Sequence, residues 1–233
     1  MQHKDPLRFR LEALPSAQED LLHSNADLRL RYQCIKLLQE RFRPLPERIH
    51  SVAEYLNHAQ GGKPASLLPV QPQPAQLGYV IHGLCRMVQA LESNSPSMQI
   101  YGEPVLERYG ALSPTEAADE YTTARQAFCL RYPDMDRYME NILVNHIFYE
   151  DFPFVEESLP FMEQMLALTA VYALTRLLAV TYCIDHRDEN ALTDVLAGTF
   201  RLIEHSRFYY NANHLMHTGQ MTDALSLLSM LTI

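Results

Sequence analysis

Few side chains in this sequence are of a type and spacing that could do chemistry. Glu204, His205, His214 and His217 lie close together near the C-terminal end. Imidazole nitrogens with a carboxylate are the donors of a divalent-metal site, and Glu204 with His205 could pair as acid and base. His214 and His217 are three apart, so a helix would bring them to one face, but helical neighbours such as Glu204 and His205 point apart. The intervening FYYNAN sets no fixed geometry, and the spacing predicts surface or capping histidines, with neither zinc nor iron bound. Glu116, Asp119 and Glu120 offer paired carboxylates, yet they fall in an expected first helical turn, where acids suit the macrodipole. Cys34, Cys85, Cys129 and Cys183 are each more than forty residues from the next. Zinc knuckles, iron–sulfur ligation and thioredoxin chemistry need a close pair, so these thiols read as small buried hydrophobes.

Common catalytic signatures are missing as well. The sequence contains no glycine-rich dinucleotide turn, no GxxxxGK, no GxSxG and no HExxH. Of 233 residues only 8 are Gly, under half the usual share of about 7%. Tight hairpins and phosphate-cradling loops are correspondingly scarce. With 47% hydrophobic and 20% charged residues and segments rich in Leu, Ala, Glu, Gln, Arg and Met, composition predicts an all-α protein with a sizeable core. Net charge is -9, unevenly spread: residues 1–60 carry 9 Lys+Arg against 8 Asp+Glu, leaving 10 against 20 for the rest. An acidic body argues against a nucleic-acid partner, which demands clustered cations. Arg41, Arg43 and Arg48 do cluster, at the junction of two expected helices, where a solvated face is the simpler reading.

The elements that must position these residues follow from periodicity. Leu28, Tyr32, Ile35, Leu38 and Phe42 mark one amphipathic helix, and Leu45, Ile49, Val52 and Leu56 the next. Residues 1–60 thus form an N-terminal helical subdomain, 61–76 a Pro/Gly-rich linker, and 77–233 a helical bundle domain. After the linker, Leu77, Val80, Ile81, Leu84, Val88 and Leu91 form a core-facing stripe that SNSPS stops. Ser113, Pro114 and Glu116 spell a capping box with proline at the first helical position, for a helix reaching about Leu130. From Asp134 another helix carries Met135, Tyr138, Met139, Ile142, His146 and Tyr149 on one side until FPF breaks it. Leu166 to Ile184 carries a single formal charge, Arg176, and is long enough to cross a membrane. An arginine near the middle costs about 2.5–3.5 kcal/mol on insertion scales, so this segment is expected at the centre of a bundle of about eight helices. The turn DHRDEN ends it, and helices over 191–208 and 221–231 follow.

One stretch resembles a known family. MENILVNHIFYEDFPF, residues 139–154, is similar to the segment of flagellin lysine-N-methylases in which a Leu/Glu-Asn-Tyr-Leu-Val-Asn run precedes an aromatic and Phe-Pro-Phe. RLIEHSRFY, residues 201–209, resembles that family's later helix carrying Ile-Glu-His. The resemblance covers residues 110–233 best and the earlier helices loosely. It implies N-methylation of flagellin lysines, with S-adenosylmethionine as donor. Family members also carry, upstream, closely spaced cysteines that hold an iron–sulfur cluster; this sequence has no such run, so it resembles the C-terminal helical part or a shortened relative.

Within the resembling segment Asn141 and Asn145 lie one turn apart, with Glu140 and His146 beside them. They read either as a patch orienting a lysine or a neighbouring domain, or as buried amides satisfying carbonyls of the FPF turn. Glu204 and His205 join them as contact candidates through the second matching stretch. The expected function is a helical domain that supports or recognises substrate for flagellin methylation. Its expected partner is flagellin or a cysteine-rich companion region, and no cofactor is expected in this chain. The competing expectation is a non-enzymatic helical adaptor or chaperone-like module. MQHKDPLRFR lacks the apolar core of a signal peptide, which sets the expectation of a cytoplasmic protein with no membrane partner.

Overall fold

The computed structural model describes residues 51, 74–92, 95–139, 141–142, 159–205, 208–218, 221–222, 226, 229–230 and 233. It is helical throughout, with no strand among the described residues. Six helices have defined bounds: α1 Pro74–Glu92, α2 Pro96–Tyr109, α3 Pro114–Arg131, α4 Phe161–Asp185, α5 Ala191–His205 and α6 Phe208–Thr218. The chain divides into two compact units, Met1–Ala65 with Glu140–Met165, and Ser66–Met139 with Leu166–Ile233. The second unit holds the features developed below. The helices expected over 28–56, their arginine cluster, Cys34 and linker residues 61–73 lie outside the described residues, Ser51 excepted.

In the second unit α1 packs on α2 and α3, α5 on α2, and α6 on α1 and α5. Close approach is built in with glycine. A Cβ added at Gly78 would fall 1.7 Å from the Pro114 carbonyl oxygen, and one at Gly102 would fall 2.5 Å from Val88 Cγ1. Bare backbone is thus what lets α1 meet both neighbours. The expected stripe on α1 is fully buried at Val80, Ile81, Leu84 and Val88. α1 starts at Pro74, inside the last residues of the expected linker, because proline is tolerated in a first turn.

The α3 start is as its sequence spells it. Glu116 N–H donates to Ser113 Oγ at 3.4 Å, and Ser113 N–H donates to Glu116 Oε2 at 2.9 Å. Glu116 is therefore a capping residue, its carboxyl held low by the Ser113 side chain and backbone. Helix α2 departs from the sequence expectation, which left 96–109 unassigned. Gly102 and Pro104 in its interior weaken the local signal. Ser95 nevertheless caps it, accepting from Met98 N–H at 3.4 Å, with Pro96 following. Helix α6 is a second departure: FYYNAN is helical, not irregular. Tyr138 is a third; it is exposed while Met135 and Met139 are buried.

Helix α4 behaves as its composition demands. Every residue from Gln164 to Thr181 is buried, and its apolar window, long enough to cross a membrane, is 89% buried inside the protein. Its threonines hide their hydroxyls on the preceding turn: Thr175 donates to Val171 O and Thr181 to Leu177 O, both at 2.7 Å.

Candidate functional site

Two places along α4 gather polar chemistry, one at its C-terminal end and one in its buried middle. The end is fixed by cations from earlier helices. Arg131 Nη1 donates to the carbonyls of Cys183, at 2.9 Å, and His186, at 3.2 Å, satisfying oxygens that a helix terminus leaves open. Arg108 of α2 reaches Asp185 at 3.2 Å and Glu120 of α3 at 3.8 Å.

On that anchored end stands a group of rings. Tyr182 and His186, one turn apart, stack with centroids 3.8 Å apart and planes within 2°. Tyr101 of α2 meets Tyr182 edge-on at 4.9 Å and 88°. Gly198 of α5 admits the Tyr101 ring, since a Cβ there would lie 2.6 Å from Tyr101 Cε2. Three helices thus converge on a half-buried aromatic face with His186 exposed.

Carboxylates border this face. Burial first, then Asp194 and more weakly Asp188, pushes the Tyr101 hydroxyl above its usual range, with Arg201 opposing. Burial and then Asp188 do the same to Tyr182. Tyr132 is raised too, by burial, Cys183 and finally Asp188. Asp188 accepts from Asn190 N–H at 3.1 Å, a turn that fixes the carboxylate just ahead of α5. Asp185 is matched by Arg108, whereas Asp188 and Asp194 make the field felt by the rings negative. Aromatic faces with nearby carboxylates suit an organic ammonium group, by cation–π attraction and charge together.

The second place is buried. Arg176 is 2% exposed; its Nη1 donates to Tyr172 Oη at 2.6 Å and its Nη2 to Asp136 Oδ1 at 2.7 Å. Asp136 is itself 78% exposed. Tyr121 of α3 is fully buried, and its hydroxyl, like Arg176 Nε, has no hydrogen-bond partner among the described residues. Burial drives the Tyr121 hydroxyl far above its usual range, against the pull of Arg176 and Arg125. Tyr109, next to Tyr121 at 6.3 Å between centroids and hydrogen-bonded to Thr181 at 3.5 Å, is pushed up to about 12 by burial.

Of the residues expected from sequence to form contacts, Asn141 is helical and exposed, so a buried amide at that position is corrected. Glu140, Asn145 and His146 lie outside the described residues. Glu204 and His205 fall in the last residues of α5, where the side chains are not described. His214 and His217 share α6 and are both exposed; among the described residues no group of three metal-type side chains forms. Sequence reasoning missed the ring face and the partners of Arg176. A Tyr and a His one turn apart where an apolar helix meets DHRDEN was the available signal.

The cluster and methyl donor implied by resemblance find no fitting residues among those described. Burial pushes the thiols of Cys85 and Cys183 up to about 11, against the thiolate form that a cluster needs. Gly78, Gly83, Gly102 and Gly198 are helical and face a neighbouring chain segment, not a donor loop.

The all-helical architecture defines the class, and comparison with protein families narrows it. Residues 63–231 match the model of the FliB lysine N-methylase C-terminal domain, and the chain belongs to that family. No curated protein and no solved structure matches it.

Proposed function

We propose that this chain serves as the substrate-recognising part of a flagellin lysine-N-methylase, with a lysine side chain received on the Tyr101–Tyr182–His186 face. The observation that carries the reading is that face, whose tyrosines feel the charges of Asp188 and Asp194, in a FliB-type domain. An ammonium head would sit against the rings and near the carboxylates while its methylenes cover apolar ring edges. Methyl transfer itself is assigned to machinery that includes a cysteine-rich companion region.

Flagellin capture by the full chain tests the reading, together with transfer of label from S-adenosylmethionine in the presence of that companion region. Tyr182→Ala and Asp188→Asn should each weaken capture and labelling by about tenfold, the equivalent of roughly 1.4 kcal/mol. Capture and labelling unchanged in both variants would reject the lysine site. Capture that depends on the ring face but never leads to labelling would favour the adaptor reading over the methylase reading.

A further inference from the structure

The imidazole of His186 is held in one pose with one nitrogen to spare. Its backbone N–H donates to Tyr182 O at 3.0 Å, its backbone carbonyl accepts from Arg131 Nη1 at 3.2 Å, and its ring lies 3.8 Å from the Tyr182 ring with the planes within 2°. Nδ1 sits 3.0 Å from the same Tyr182 carbonyl. A carbonyl oxygen can only accept, so Nδ1 carries a proton, and in the neutral ring Nε2 is left as an acceptor. The two nitrogens diverge across the ring, which aims Nε2 away from the helix end. His186 is exposed, and among the described residues its ring is hydrogen-bonded through Nδ1 alone. The other groups of the face act without regard to N–H donors: rings attract a cation through their π faces, and Asp188 and Asp194 reach Tyr101 and Tyr182 by charge across space. Both attractions survive when methyl groups replace the protons of a lysine ammonium, because methylation keeps the charge. A hydrogen-bond acceptor differs, since it needs at least one N–H.

We infer that His186 Nε2 reads the methylation state of the lysine: it accepts one ammonium N–H, so the face receives lysine carrying up to two methyl groups and disfavours the quaternary, trimethylated form. The inference rests on the lysine reading of this face and adds to it the atom that sets specificity. Dimethyl-lysine still has one proton on nitrogen and can donate it to Nε2 in a charge-assisted bond. The third methyl group removes that donor and leaves the imidazole lone pair facing carbon.

The test is capture by the full chain, at pH 8, of flagellin in three forms: with free lysines, with lysines converted to dimethyl-lysine by reductive methylation, and with lysines quaternised to trimethyl-lysine. Free and dimethylated flagellin should be captured alike, within about twofold, and the trimethylated form about tenfold more weakly. This comparison needs no variant, so it does not depend on a substitution being tolerated. His186→Phe keeps a flat ring over Tyr182 and removes Nε2; it should capture the trimethylated form as well as the dimethylated one. The readout is a ratio between forms of one ligand, which a merely less stable variant leaves unchanged. Trimethylated flagellin captured by the parent chain as tightly as the dimethylated form, or a preference that persists in His186→Phe, would overturn the role of Nε2. Either result, with capture still weakened by Tyr182→Ala, would leave the rings standing as the lysine receptor. Capture of no form, or capture indifferent to Tyr182, would reject both readings.

Discussion

The middle of α4 and its C-terminal end are separated by six residues, from Arg176 to Tyr182, or about 9 Å of helix rise. Their chemistry is opposite. In the middle a buried cation donates to a tyrosine hydroxyl and to one largely exposed carboxylate, so its polar groups are tied to folding. At the end, the tyrosine rings are half-buried and the carboxylates exposed, and Arg108 and Arg131 hold the helix terminus. Burial makes the first region consequential for stability, and exposure makes the second available to a partner.

The sharpest way to break this contrast is substitution on each side of it. Tyr121→Ala in the buried middle should destabilise the protein by about 3–5 kcal/mol in chemical denaturation, the range for emptying a large aromatic site. A loss below 1 kcal/mol would show that the middle is not part of the core.

Alkaline titration comes next in size. Tyr109, near 10 when unfolded and pushed up to about 12 when folded, keeps its proton in the native state. Its contribution is therefore complete below pH 10 and is lost as pH rises towards 12, by about 2–3 kcal/mol. Cys85 and Cys183, raised from 9.0 to about 11, begin the decline from pH 9. Stability followed from pH 8 to 12 should hold at first and fall from about pH 9 onward, and a flat profile would contradict burial of these groups.

Asp136→Ala should cost about 1–2 kcal/mol. Stranding a buried cation costs more than that when its partner is also buried, but water can replace a carboxylate that is 78% exposed. Smallest on stability is Tyr182→Ala, at about 0.5–1.5 kcal/mol for lost ring contacts, although it should be the variant most damaging to flagellin capture. If it proved as destabilising as Tyr121→Ala, the two regions would be one structural unit and the contrast would fail.

Local chemistry was legible in the sequence wherever neighbours in the chain decide the outcome. Ser113, Pro114 and Glu116 announce the start of α3, and the apolar run around Arg176 announces a buried helix. Helix α2 was hidden because Gly102 and Pro104 oppose helix propensity, while packing on α1 overrides them. The ring face was hidden for a different reason. Tyr101 and Tyr182 are eighty-one residues apart, and their meeting depends on α2 lying beside α4 with Gly198 leaving room. Arg176 was visible as a lone charge, but Asp136 and Tyr121 become its neighbours through tertiary packing alone.

The bonds that hold α4 also set an order of events on the ribosome. Arg108 waits for a residue 77 positions later, Arg131 for ones 52 and 55 later, and Asp136 for one 40 later. At about 5–20 residues per second, roughly 3–11 s pass between synthesis of Arg131 and of Asp185. For most of that interval the nascent chain carries Tyr109 without the α4 hydroxyl, Thr181, that bonds it in the fold. A protein whose central helix is made after the helices it bonds to leaves those early helices dependent on shielding by other molecules, so its yield in cells should respond to chaperone supply more than its equilibrium stability would suggest.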